Sequence, residues 1–333
     1  MSGPNRVARN GDGPHRVAIV GCGAIARSHA AAIAELDLLE LAAVVDSDPV
    51  ALEQAQSEYE APGFSSVEAL LEHAARGGGI EAACVCTPPA SHRPVAEALF
   101  ASGIDVLSEK PLATTVQDAR KMIESADRTG RILGVSDKFR HVGDLVEAGG
   151  RLRAGEIGAP MHYAVSFCSP VDVRGRWPSD PLRSGGGVLM DNGPHAFDVL
   201  SHVLDAPIED LSAVFGEPRL APPVEDSAQV AFQTTSGTTG RIELSWVYFT
   251  KDLDYLVVQG EEGTIRVGWT GGNLRRHGER EWTTFGSGYD KMAAFRGVWE
   301  AFVSGTAPAN SGTPGMRALE WIDEACRSAR DHS

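Results

Sequence analysis

The residues best suited to chemistry begin at Gly21. A short apolar run, Val17 to Val20, ends in Gly21-Cys22-Gly23-Ala24-Ile25-Ala26, and an alanine-rich helical pattern follows at once. In a strand–turn–helix setting this is a dinucleotide-binding turn. Gly21 permits the tight turn, Gly23 lets the backbone approach a pyrophosphate, and Ala26 lets the helix pack close to its strand. The free N–H groups of the helix start, around Ala24 and Ile25, would take the phosphates. A second apolar run ends in Asp46, twenty residues beyond Ala26. A carboxylate there accepts from both adenosine ribose hydroxyls and repels a 2′-phosphate, which favours NAD(H) and leaves NADP(H) as the other option. Lys110 follows another strand pattern, in Glu109-Lys110-Pro111. Ligands of open α/β sheets bind beyond the carboxyl ends of the strands. An ammonium there can polarise a carbonyl oxygen or stabilise an alkoxide as hydride leaves. Asp191 and His195 stand four apart and share one face of a helix. An imidazole titrates near neutral pH, so it can move a proton in either direction.

The elements that must carry these residues follow a βαβ rhythm over residues 16–136, which predicts a doubly wound parallel sheet. Asp48-Pro49 opens a helix with a cap and an N1 proline. Ser65-Ser66-Val67-Glu68 reads as a capping box, and Thr115 caps a further helix. Strands end at Thr87-Pro88-Pro89 and at Glu109. The texture changes near residue 140. Period-two patterns, such as Ala228, Val230 and Phe232 or Ile242, Leu244 and Trp246, predict an antiparallel sheet. The expected fold is therefore α/β: an N-terminal Rossmann domain over 15–136, preceded by a loose tail of residues 1–14, then an α+β domain with a mostly antiparallel open sheet over 137–333. Two closing helices are expected, the first carrying an apolar stripe of Phe295, Val298, Trp299 and Phe302 that packs in a core. Apolar residues on the outer face of the second sheet would support a homodimer or homotetramer through that sheet.

The chain has 333 residues, 42% hydrophobic and 23% charged, as expected for two soluble domains. Its net charge of −15 argues against nucleic acid as a partner. No apolar run is long enough to span a bilayer, so no membrane partner is expected. The five cysteines are scattered, and Cys84 and Cys86 share one face of a strand, which reads as core. No metal-spaced cluster is visible, and the reducing cytoplasm is the expected compartment.

Glu109-Lys110-Pro111-Leu112-Ala113, the stretch Gly185-Gly186-Gly187 to Asp191, His195 and Asp198, and the nucleotide turn together resemble the glucose–fructose oxidoreductase / inositol dehydrogenase / MocA (Gfo/Idh/MocA) family. Residues 86–92 and 313–320 fit as well, and the resemblance runs from about residue 15 to 330. It implies hydride transfer between a nicotinamide and a secondary alcohol or ketone of a sugar, aminosugar or cyclitol, with secondary-metabolite biosynthesis as one setting. It makes His195 the proton acceptor or donor, with Asp191 orienting it or binding a neighbouring hydroxyl, and suggests a cis peptide before Pro111. It adds Thr87, Pro88, His92, Glu109 and Lys110 to the cofactor pocket, with a purely structural role for His92 as the other reading, and Arg140, Arg176 and Trp177 to the substrate side. His29 reads as a packing or surface residue. Pro194 departs from the usual apolar residue and threatens a kink between Asp191 and His195. Asn192 reads as facing solvent or a partner chain. Two alternatives stay open: an NAD-dependent glycosidase of the same family, and a non-catalytic sensor.

Overall fold

A computed structural model describes residues 13–250, 253–305 and 312–331, so the expected tail lies mostly outside the described residues. The chain divides into two compact units. The first spans residues 1–138 and 292–316, and the second spans 139–291 and 317–333.

The first unit begins with β1 (His15–Val20), α1 (Ala24–Ala34), β2 (Leu39–Val45), α2 (Pro49–Tyr59), β3 (Gly63–Phe64) and α3 (Val67–His73). It continues with β4 (Ala82–Val85), α4 (His92–Ala101), β5 (Asp105–Ser108), α5 (Val116–Thr129) and β6 (Leu133–Val135). Its six strands pair in parallel in the order β3-β2-β1-β4-β5-β6. β1 and β4 are neighbours although three α-helices and two strands separate them in sequence. The order therefore reverses beside β1, and the crevice at such a switch point is where doubly wound sheets bind ligands. Val17, Ile19, Val44 and Cys84 are fully buried, as a sheet covered on both faces requires. The helix starts follow the capping signals with one shift. Asp48 accepts from Val50 N and Thr115 from Asp118 N, as the sequence predicts, whereas α3 is capped by Ser66, which accepts from Ala69 N. Ser65 is thus not the cap, because the helix starts one residue later than the box implies.

The second unit holds α6 (Gly143–Arg153), β7 (Pro160–Cys168), α7 (Pro181–Ser184), α8 (Val188–Val203), β8 (Ile208–Phe215), β9 (Ser227–Thr234) and β10 (Thr239–Ser245). Then follow β11 (Asp254–Gly260), β12 (Gly263–Gly268), β13 (Gly271–Arg276) and β14 (Thr283–Phe285). Its eight-stranded sheet runs β14-β13-β12-β11-β7-β10-β9-β8, antiparallel except for the β7–β10 pair. α8 packs on β7, β9 and β10, and α6 on β12 and β13. The apolar set of each strand faces these helices. The opposite face shows Ser212, Val214, Gln229, Ala231, Gln233, Arg241 and Glu243 on β8–β10. The expected apolar outer face is therefore mixed and largely polar, because period-two alternation places the large apolar residues of these strands on the helix side.

α9 (Lys291–Ser304) groups with the first unit from Met292 onward. Its stripe of Phe295, Val298, Trp299 and Phe302 packs in a core, as expected, but that core is the first unit's. These rings lie with Val17, Ile19, Ala26, Ile33 and Leu107. Burying several large side chains at about 1.5–3 kcal/mol each outweighs the ordering of a return crossing. α10 (Gly312–Asp331) closes the described chain; its residues to Met316 group with the first unit and the rest with the second. No helix among the described residues is long and apolar enough to cross a membrane.

Candidate active site

At the end of β1, Gly21 takes φ +95° and its N–H bonds Val45 O. A Cβ there would lie 2.8 Å from Cys86 C and Thr87 N, so only glycine lets the ends of β1 and β4 approach. Gly23 stands at the N-cap of α1, and a Cβ on it would meet nothing within 4 Å. Ala24 is exposed, Ile25 half-buried and Ala26 fully buried. No side chain caps α1, so its first amides form an open, positively polarised helix end. Asp46 at the end of β2 is fixed by two backbone donors, Cys22 N at 2.7 Å and Asp48 N at 2.9 Å. At the end of β4, Thr87 holds a buried Oγ1 with no hydrogen-bond partner. Pro88 starts the following turn, and its carbonyl accepts from Ser91 N and Oγ. The uncapped helix, the clearance at Gly23, the anchored carboxylate and the orphaned hydroxyl all suit a dinucleotide.

His92 and Glu109 have other work. His92 is fully buried, with Nε2 2.7 Å from Thr87 O and Nδ1 3.0 Å from Pro111 O. It ties the end of β4 to the Lys110–Pro111 segment, and burial pushes its pKa down. Glu109 is also buried. Its Oε1 meets His29 Nε2 at 2.9 Å and its Oε2 accepts Lys110 N at 3.1 Å. Burial pushes this carboxyl up, but the His29 hydrogen bond and the Lys110 charge outweigh it and hold it below the usual range. Both side chains are therefore engaged in hydrogen bonds inside the protein. Lys110 is half-buried, and the Lys110–Pro111 peptide is cis, as the resemblance suggests.

In the second unit, Asp191 and His195 both lie on α8, which runs unbroken through the buried Pro194. The proline ring removes one backbone donor, yet the helix continues on either side of it. Asn192 donates to Phe167 O at 3.3 Å, so it anchors α8 to β7 rather than facing a partner. His195 sits edge-on to Phe139 at 5.1 Å between ring centroids, and 6.2 Å from Phe167. Phe139 stacks on Tyr289 at 5.7 Å, and Trp269 meets Tyr289 at 5.2 Å, so the imidazole joins an aromatic wall.

Arg140 bonds the buried Asp198, one turn beyond His195, while its carbonyl meets His202 Nε2 at 3.2 Å. It thus clamps α8 through one guanidinium nitrogen. Arg176 is exposed and bonds Asp172 O at 3.2 Å within its own loop, and Trp177 beside it is half-buried.

Sequence reasoning missed Glu225. Its carboxylate accepts Gly187 N at 3.0 Å and Leu189 N at 3.1 Å, while its carbonyl accepts Val188 N at 2.8 Å. It caps α8 from a distant loop. A Cβ on Gly187 would sit 1.9 Å from Glu225 O, which explains one glycine of the triplet. Burial pushes the Glu225 carboxyl up. A single glutamate in a proline-rich loop carries no spacing signal. His29 was missed for a similar reason: its partners are Glu109, just beyond β5, and Trp299, from α9.

Family models match both parts of the chain: the oxidoreductase family with an NAD-binding Rossmann fold over residues 15–137, and the GFO/IDH/MocA C-terminal domain over residues 145–266. Among curated relatives, D-apiose dehydrogenase of Paraburkholderia graminis is 27% identical, covering 94% of this chain and 87% of its own. The scyllo-inositol 2-dehydrogenase (NAD(+)) of Bacillus subtilis is 27% identical over 66% of this chain and 63% of its own. Among solved structures, the WlbA dehydrogenase from Bordetella pertussis, in complex with NADH and UDP-GlcNAcA, superposes with TM-score 0.82 at 26% identity, covering 97% of each chain. With the switch-point crevice, the open helix end and both family domains in place, the chain belongs to the Gfo/Idh/MocA family of NAD-binding oxidoreductases.

Proposed function

We propose that this enzyme transfers a hydride between NAD(H) and a secondary alcohol or ketone of a sugar, aminosugar or cyclitol. The nicotinamide, when bound, supplies the hydride acceptor or donor. The observation that carries the cofactor preference is Asp46, whose two oxygens are pinned by Cys22 N and Asp48 N. A carboxylate so fixed cannot swing away from a 2′-phosphate, and it still has lone pairs for ribose hydroxyls. Gly21, Gly23, Ala24, Ile25 and Ala26 would hold the pyrophosphate, with Thr87 and Pro88 lining the pocket.

Lys110 is assigned the electrostatic role, holding positive charge where the reacting oxygen becomes negative. His195 is assigned the proton, taking it from the substrate hydroxyl or returning it to the ketone. The aromatic wall keeps that ring from rotating freely, which preserves its aim. Asp191, one helical turn before it, is assigned the orienting or hydroxyl-binding role. The relatives that act on apiose and scyllo-inositol support the substrate class. A panel of sugars, aminosugars and cyclitols assayed with NAD+ and NADP+ tests the reading. NADH formation with at least one of them is expected. Tightly retained cofactor without net turnover would favour the glycosidase instead.

A further inference from the structure

We propose that His29 and Trp299 are positioning residues for Lys110, acting through Glu109; the inference rests on the role assigned to Lys110 above. Trp299 on α9 and His29 on α1 are both fully buried. The indole Nε1–H can only donate, and it reaches His29 Nδ1 at 3.1 Å. Nδ1 is therefore the acceptor, and the proton of the neutral ring sits on Nε2. That N–H points at Glu109 Oε1 at 2.9 Å, and Glu109 Oε2 accepts the Lys110 amide at 3.1 Å. The line is directional from end to end: a group that can only donate sets a tautomer, the tautomer secures a carboxylate, and the carboxylate holds the backbone from which the Lys110 side chain springs. A purely packing role at the position of His29 needs only volume, which phenylalanine supplies. It needs neither a fixed tautomer nor a buried anion, and a buried anion without donors is costly.

The same bonds engage the metal-ligand types of this region. His29, Cys84 and Cys86 bring ligand atoms within 4.8 Å of one another. Yet both His29 nitrogens are engaged, and the cysteine sulfurs face each other at 3.5 Å, with burial holding Cys84 as a thiol.

The titratable groups facing Glu109 are His29 from α1, Lys110 beside it in the chain, Cys84 from β4 and His92 from α4. Of these, His29 donates a hydrogen bond to the carboxylate from its side chain. Replacing it with phenylalanine would let the carboxyl take up a proton at higher pH and release the Lys110 amide.

The test compares His29→Phe, His29→Gln and the double variant His29→Phe/Glu109→Gln in kcat against pH, with NADH affinity by fluorescence and melting temperature alongside. We expect His29→Phe to lower kcat by roughly tenfold or more at neutral pH, as loss of aim does. NADH affinity should stay within about twofold, since the Gly21–Ala26 turn is untouched. The lost activity should return as pH rises, a limb absent from the parent enzyme and abolished in the double variant. His29→Gln, which keeps an N–H donor, should recover most of kcat. A lower melting temperature with unchanged kcat and no new pH limb would leave His29 as packing and overturn the proposal. Nitrogen-15 shifts of His29 separate this from the fate of Lys110. A neutral Nε2–H ring is expected in the parent and in Lys110→Met alike, and an Nδ1–H ring or an imidazolium in either would overturn the relay even if Lys110 keeps its role.

Discussion

At the scale of single residues, Asp46, Lys110 and His195 make separable demands. Asp46→Ser removes the charge that opposes a 2′-phosphate, so the kcat/KM ratio of NADP(H) to NAD(H) should rise by roughly tenfold or more, about 1.4 kcal/mol. An unchanged ratio would remove Asp46 from cofactor choice. Lys110→Met should lower turnover about 10²–10³-fold while NADH affinity changes little, because the nucleotide turn is intact. Near-normal turnover would take Lys110 out of the reaction. For His195, oxidation should fall on the acid side as the imidazole takes up a proton and can no longer accept the substrate's. His195→Asn should weaken that limb and lower turnover about 10²–10⁴-fold. Survival of the limb at full turnover would send the proton elsewhere.

At the scale of elements, α8 is held by groups far from it in sequence. Asn192 bonds β7, Arg140 bonds Asp198, and Glu225 caps the helix start. Glu225→Ala would leave the buried amides of Gly187 and Leu189 without their acceptor, a loss of about 1–3 kcal/mol. For a unit of this size that lowers the melting temperature by roughly 2–4 °C per kcal/mol. Turnover should fall with it while NADH affinity holds, since the nucleotide turn lies in the other unit. A variant melting at the parent temperature would contradict the cap. These anchors also mark where sequence reading stops. Gly21, Asp46, Thr115 and the Asp191–His195 spacing are local signals, and chain neighbours decide them. The α9 stripe announced a core but not which one, because burial of Trp299 depends on α1 and the first sheet. Glu225 and His29 act on partners 36 or more positions away, so nothing in their own neighbourhoods reveals them. The outer face of β8–β10 was misread because alternation gives two faces, and only packing decides which one the helices cover.

At the scale of the whole molecule, buried and half-buried imidazoles set the response to acid. Burial lowers the pKa of His92 and of His202, and burial with the Arg140 charge brings His141 from 6.5 to about 4. Between the folded and unfolded values the unfolded chain binds more protons, so stability rises with pH there. The loss therefore begins as pH falls below the ordinary histidine value and grows toward about 4. Glu225, raised by burial, works the other way: its cost is present above the ordinary carboxylate value and eases as it protonates. With His162 lowered by burial as well, four imidazoles stand against the two carboxyls that burial raises, Glu225 and Asp198, and predict a melting temperature that drops between pH 7 and pH 5, roughly 2–4 °C for each kcal/mol lost. A melting temperature that rises over that interval would contradict the assignment of these rings as desolvated and neutral.

The central claim is hydride transfer to NAD+ from a carbinol carbon of a sugar or cyclitol. Its most direct measurement is single-turnover NADH formation with a substrate carrying deuterium on that carbon, run in parallel with NAD+ and NADP+. The account predicts stoichiometric deuteride transfer to the cofactor, a primary isotope effect on the chemical step, and a higher kcat/KM with NAD+. Cleavage of a glycoside with the cofactor returned to its starting state, or faster transfer to NADP+ under matched conditions, would contradict it.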